Sequence, residues 1–124
     1  MESGPDLFDV VELLADLPAH NLRAGDRGTV VDCYADNTFE VEFVTEHGET
    51  RVSCPISSEQ FIVVWQAQAR AWVPADEQIA ALVARLPRGS EQEVLDFVRF
   101  LHLRRQSSAI ESLAAAEEAG RKAN

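Results

Sequence analysis

One change of pattern along the chain constrains its fold more than any other feature. Apolar residues alternate with polar ones before Trp65, and they recur with helical spacing after it. The clearest alternation runs over Phe39–Val44, where two glutamates separate three apolar residues. Because successive side chains of a strand point to opposite faces of a sheet, this segment predicts a strand with one buried and one solvated face. We therefore expect a β-rich first half and a helical second half.

Turn residues divide the first half into short segments of strand-like composition. Gly25-Asp26-Arg27-Gly28 and Ala35-Asp36-Asn37 are predicted turns, and Glu46-His47-Gly48-Glu49 suits a hairpin because glycine tolerates positive φ. Short strands separated by frequent turns are typical of small barrels. We predict an α+β chain in which a five-stranded β-barrel precedes a C-terminal helical extension. The predicted strands are Asp9–Leu14, Thr29–Tyr34, Phe39–Val44, Arg51–Cys54 and Phe61–Val64.

The second half is predicted to form helices. One helix runs from Asp76 to about Leu86 and is ended by Pro87-Arg88-Gly89, and Ser90 with Glu93 matches a capping box for the next helix. The apolar face of the first helix comprises Ile79, Leu82, Val83 and Leu86. That of the second comprises Val94, Phe97, Val98 and Leu101, widened by Leu95, Phe100 and Leu103. The tail over residues 106–124 has a thin apolar edge and is marginal as an isolated helix.

These patterns predict a β-barrel domain over residues 1–65, a linker over 66–75 and a helical extension over 76–124. We expect the extension to be a helix-turn-helix hairpin plus a tail. Two short helices cannot bury this much apolar surface alone, so they need the barrel, a second copy of the chain or a partner protein. Aromatic and aliphatic anchors dominate interface energies. The expected partner-binding or dimerisation residues are Val94, Phe97, Val98, Phe100 and Leu101.

Charge is distributed unevenly along the chain. Residues 1–65 hold thirteen acidic and three basic side chains, which accounts for the whole formal charge of −10. An acidic surface repels phosphate, so we do not expect the barrel to bind nucleic acid, although it could attract a basic protein. Two cysteines are too few for a disulfide scaffold, and no apolar run is long enough to span a membrane. Without a secretory signal in Met1–Asp6, we expect a cytoplasmic protein with no membrane partner.

Two stretches resemble known families. The run Leu22-x-x-Gly25-Asp26-x-Gly28-Thr29-Val30-Val31, with Phe8-Asp9-Val10-Val11 and Glu40-Val41-Glu42-Phe43, resembles a family of small uncharacterised bacterial domains of unknown function. That resemblance implies a Src-homology-3-like barrel over the first half. Leu86-Pro87 followed by residues 91–101 resembles short helical antitoxins of bacterial toxin–antitoxin pairs. It implies that the helices dimerise or dock on a toxin.

No motif for catalysis, cofactor binding or metal binding stands out. His20, His47 and His102 lie outside any recognised motif, and Cys33 and Cys54 lack a Cys-x-x-Cys context. A zinc site would need a histidine to join both cysteines, and their spacing matches no standard site. We therefore predict a protein without enzymatic activity, cofactor or metal.

The leading hypothesis is a non-enzymatic protein-binding module, an antitoxin-like neutraliser of a toxin, and a homo-oligomer. The first alternative is a general adaptor or assembly module whose helices dimerise. The second is a weak DNA-binding regulator, in which arginines around the second helix contact phosphates. The candidate phosphate-contacting patch comprises Arg99, Arg104 and Arg105.

Overall fold

The structure, a computed structural model, describes residues 4–123, apart from the side chains of residues 109 and 117–123. The chain divides into two compact units, Met1–Arg85 and Leu86–Asn124. The first unit contains a sheet and one helix, and the second contains a long helix. The two units are described separately below.

The first unit is built on one antiparallel sheet. Its six strands are β1 (Val10–Leu13), β2 (Arg27–Cys33), β3 (Thr38–Val44), β4 (Thr50–Ser57), β5 (Phe61–Gln66) and β6 (Ala71–Trp72). They lie in the order β4-β3-β2-β1-β5-β6. Short 3₁₀ turns occupy Pro18–His20 and Ser58–Gln60, and helix α1 (Ala75–Ala84) follows β6. The second unit contains helix α2 (Glu91–Ala123).

The predicted α+β class is confirmed, but the sheet differs from the predicted five-stranded barrel. It has six strands, and within the described residues β4 and β6 are its edges, so the sheet is open. The sixth strand lies in residues 66–75, which we had expected to be a linker. Trp72 there pairs with Trp65 across a tight turn in which Arg70 has a φ of 50°. This turn contains no glycine, so the residue types between β5 and β6 did not predict a turn.

Strand β4 runs through Pro55, where we had expected the strand to end. Pro55 lies opposite Glu40 of β3. Because proline has no N–H, it is tolerated in a sheet where that side of the strand has no neighbour, as at an edge. Pro55 also leaves the exposed edge one donor short, which disfavours pairing with a further strand.

The core lies on one face of the curved sheet. The predicted alternation of β3 is confirmed, with its apolar residues buried and Glu40 and Glu42 on the opposite face. Ten side chains form the main cluster: Val11, Leu13, Leu22, Val30, Phe39, Val41, Phe43, Cys54, Ile56 and Phe61. The rings of Phe39 and Phe61 meet edge to face, with centroids 5.8 Å apart. Strand β3 therefore contributes Phe39, Val41 and Phe43 to the core, on the face that its alternating sequence predicts.

Helix α1 contacts β5. Ile62 and Val64 of β5 are fully buried although they alternate with residues of the main core, so this strand is covered on both faces. Of the apolar face that we predicted for this helix, Val83 is half-buried, whereas Ile79, Leu82 and Leu86 are exposed. The helix ends at Ala84, close to the predicted break before Pro87.

Candidate functional site

Helix α2 holds all the residues predicted to bind a partner. Its first turn follows Gly89, whose φ of 96° reverses the chain, and the Glu91 carboxylate accepts a hydrogen bond from the Gly89 N–H at 3.1 Å. This hydrogen bond goes to the residue before Ser90, so it differs from the Ser90–Glu93 capping box that we had predicted. The helix then continues to Ala123 without interruption, so the predicted marginal tail is helical in the structure.

Four of the five predicted contact residues lie along one side of α2. Successive helix residues rotate by about 100°, so these four fall within an arc of about 100°. We call them the first stripe: Val94, Phe97, Val98 and Leu101. Phe97 exposes 60% of its surface, and Val98 is also exposed, whereas Val94 and Leu101 are half-buried. Phe100 lies beside the stripe, with its ring centroid 6.1 Å from that of Phe97.

The predicted arginine patch is spread around the helix. Along α2, the directions of Arg99, Arg104 and Arg105 differ from one another by about 100° or more. Arg99 pairs with Asp96 at 3.5 Å, and the Arg104 guanidinium lies 6.0 Å from the centroid of the Phe100 ring. The helix therefore does not bring the three cations together on one face, and one of them already has a carboxylate beside it.

A second set of exposed apolar residues was not predicted as one stripe, although Phe100 was predicted as a contact residue and Leu103 as part of the apolar face. Phe100, Leu103, Ile110 and Leu113 occupy an arc of about 140° on the side of α2 opposite the first stripe. We call them the second stripe. Each exposes more than half of its surface: 53%, 64%, 59% and 67% in that order. These residues share one side only if the helix continues through the tail, because Leu103 and Leu113 lie almost three turns apart.

The first unit carries an acidic sheet face whose carboxylates are held in place by hydroxyl groups. Glu40 accepts hydrogen bonds from the Tyr34 hydroxyl at 3.0 Å and from the Ser53 hydroxyl at 2.6 Å. Glu42 accepts one from Thr50 at 2.8 Å. The bond to Glu40 raises the pKa of the Tyr34 phenol, because ionisation would break it and bring two negative charges together. These contacts fix the negative charges without neutralising them.

Two arginines of the first unit are already engaged with acidic or backbone groups. The Arg27 side chain lies 3.2 Å from a Glu12 carboxylate oxygen. Arg51 lies 4.0 Å from the Asp26 carboxylate and donates to the Asn21 carbonyl. Such exposed ion pairs add little stability. Acidic side chains outnumber basic ones in residues 1–65, so the carboxylates that have no basic partner set the surface potential.

A cleft of about 630 Å³ also lies in the first unit. The Asp9 carboxylate on its wall is only 4% exposed, and it accepts from the backbone N–H groups of Asp6 at 2.9 Å and Ala67 at 2.8 Å. Arg85 on the same wall donates to the Ser58 carbonyl at 3.2 Å. Both side chains therefore fasten loops of the unit, and this supports a structural role for them.

The cysteines do not form a pair of neighbouring thiols. Cys33 of β2 and Cys54 of β4 are both paired with β3, which separates their strands. Desolvation is the main cause that raises the pKa of each thiol, and the charge of Asp32 adds to it at Cys33. Both therefore remain protonated and weakly nucleophilic at neutral pH. Among the side chains that the structure describes, no three His, Cys, Asp or Glu residues are placed to hold a metal.

The comparisons with known proteins concern the first unit. Residues 7–63 match a family model described as "Domain of unknown function (DUF4926)", which confirms a small domain of unknown function there. No curated protein and no solved structure matches the chain. The family match stops within β5, so the antitoxin-like resemblance of α2 stays a prediction. None of the helices described here has both the length and the apolar character needed to cross a membrane.

Proposed function

We propose that this chain is a non-enzymatic protein-binding module that docks a partner protein on the first stripe of α2. The observation that carries the proposal is the exposure of Phe97 and Val98 on the side of the helix that also bears Val94 and Leu101. A surface helix normally turns such residues toward a core. An exposed aromatic side chain with aliphatic neighbours on one helical face instead fits the helix-in-groove mode of recognition, in which residues three and four apart anchor the contact.

The partner that fits best is a basic protein. The surplus of negative charge lies in residues 1–65, and the sheet presents Glu40 and Glu42 on its outer face. Such a field accelerates encounter with a positively charged surface, and the apolar stripe then supplies the short-range contact. Proteins that act on nucleic acids carry basic surfaces of this kind. We therefore propose an antitoxin-like role, in which the chain neutralises a nucleic-acid-directed toxin.

We also propose that the sheet of the first unit is an open form of a Src-homology-3-like barrel. The antiparallel order of its strands supports this assignment. So does the contact of Arg51 in β4 with Asn21, which joins an edge strand to the segment before β2. An experimental structure of the full chain would test it by showing whether β4 and β6 stay apart.

The test is affinity capture with the full-length chain from cells of its source organism, using wild type and the double variant Phe97→Ala, Leu101→Ala. We expect wild type to retain a small basic protein at equal stoichiometry and the double variant to retain at least about 10-fold less, because two anchors are removed. Expressed alone, the captured protein should arrest growth. Wild type should relieve that arrest, and the double variant should not.

The matched control is Leu95→Ala, which truncates an exposed leucine of the same helix outside the first stripe. It should retain the partner as wild type does. Equal retention by the double variant would overturn the docking site and favour an adaptor that binds through the sheet. Retention of nucleic acid that falls steeply with salt would favour the DNA-binding alternative instead.

A further inference from the structure

The second stripe has a symmetric spacing along α2. Phe100 and Leu113 lie equally far in sequence from the point between Gln106 and Ser107, and so do Leu103 and Ile110. That point also falls within one residue of the middle of the helix, Glu91–Ala123. Because this spacing is the same in both directions along the helix, two antiparallel copies related by a twofold axis would bring the apolar residues of one copy level with those of the other.

We propose that α2 forms an antiparallel homodimer through the second stripe, with the twofold axis beside Gln106 and Ser107. In this register Leu103 lies level with Ile110 of the other copy, and Phe100 lies level with Leu113. Leu103 and Ile110 of each copy then cover one another, and Phe100 and Leu113 border the contact. The two helices overlap along almost their full length of about 50 Å, the largest contact that α2 can make with itself.

Charge favours the antiparallel over the parallel arrangement. The first turn of α2 contains Glu91 and Glu93, and Asp96 follows one turn later. A parallel pair would bring these carboxylates of both copies to the same end, whereas an antiparallel pair separates them and opposes the helix dipoles.

The dimer leaves the first stripe free, because the two stripes lie on opposite sides of α2. One copy of the helix could therefore bind a second copy and a partner protein at the same time. The proposal concerns the purified chain alone, so it can fail while the proposed partner-binding function stands, and the reverse also holds.

The oligomeric state of the purified full-length chain is the first test, measured by sedimentation equilibrium. Wild type should be a dimer, and Ile110→Glu should raise the dissociation constant at least about 100-fold, because the symmetry places the carboxylate in the contact twice. Ser112→Glu adds the same charge on the opposite side of the helix and should leave the dissociation constant unchanged. A monomeric wild type, or a dimer that Ile110→Glu does not weaken, would overturn the proposal.

Disulfide trapping tests the orientation in a Cys33→Ser background, which removes the exposed native thiol. Ser107→Cys, beside the axis, should cross-link to itself. Leu113→Cys should not, because the register sets the two copies of this position about 20 Å apart along the helix, too far for a disulfide. An equal mixture of Leu103→Cys and Ile110→Cys chains should cross-link, because the register places these two positions level with each other at the centre of the contact. Efficient self-cross-linking of Leu113→Cys would indicate a parallel pair and overturn the antiparallel register.

Discussion

Gly28 is the position at which a single methyl group should cost the first unit most. It lies within β2, opposite Val11 of β1, and not in a turn. A Cβ added there would meet Val41 Cγ1 at 2.7 Å and the Glu42 carbonyl oxygen at 2.9 Å. The carbonyl belongs to the β2–β3 ladder, so it cannot move away without disturbing the sheet.

The expected effect of Gly28→Ala follows from two opposing terms. Overpacking of this kind costs about 1–3 kcal/mol. The lower entropy of alanine in the unfolded chain offsets about 0.5–1 kcal/mol. We expect a net loss of about 1–2 kcal/mol in the free energy of unfolding, which for a unit of this size lowers Tm by about 4–16 °C.

Urea unfolding followed by tryptophan fluorescence measures this loss selectively. Both tryptophans of the chain, Trp65 and Trp72, lie in strands of the first unit. Gly4→Ala is the control without a clash, since nothing lies within 4 Å of the added atom, and it should stay within about 0.5 kcal/mol of wild type. Gly25→Ala has equal space but a φ of 95°, so it isolates backbone strain of about 1–2 kcal/mol. A Gly28→Ala chain as stable as the Gly4→Ala chain would refute the steric reasoning.

Two further predictions concern side chains of the first unit. Asp9→Ala leaves the backbone N–H groups of Asp6 and Ala67 without their acceptor, so it should lower the free energy of unfolding by about 2–3 kcal/mol. Asp9→Asn keeps one oxygen as an acceptor and should lower it less. Equal urea midpoints for the two variants would contradict this expectation. Glu40→Ala removes the acceptor of the Tyr34 hydrogen bond together with its negative charge, so the raised pKa of Tyr34 should fall toward its ordinary value. Tyr34 is the single tyrosine of the chain, so its titration can be followed by tyrosinate absorbance, and an unchanged midpoint would show that Glu40 is not the cause.

Local signals predicted the parts of the fold that depend on neighbouring residues. The alternation in β3 was read correctly because the period of a strand is set by the backbone alone. The turn at Asp36 and Asn37 was also read correctly: both adopt positive φ, which these residue types tolerate better than most. The turn before β6 was missed because Arg70, which adopts positive φ there, is not a residue type that marks turns.

Contacts distant in sequence decided the parts that were missed. Pro55 was read as a break, but it is compatible with β4 because that strand lies at the edge of the sheet. The burial of Ile62 and Val64 depends on α1 lying against β5, which neither segment encodes by itself. The second stripe was not predicted because the helix propensity of the tail, taken by itself, is marginal. The apolar residues of the tail nevertheless continue a helical pattern that begins at Phe100.

The sequence by itself determined that a strand-rich part precedes a helical part, which residues of β3 are buried, where the negative charge lies and which apolar residues share the first stripe. These properties follow from hydrophobic period, composition and turn chemistry, which act over a few residues at a time. Only the tertiary structure decided the sixth strand, the open edge and the burial of Ile62 and Val64 against α1. Each of these depends on contacts between segments that lie far apart in the chain, because the apolar area that a side chain buries is set by the segment that packs against it.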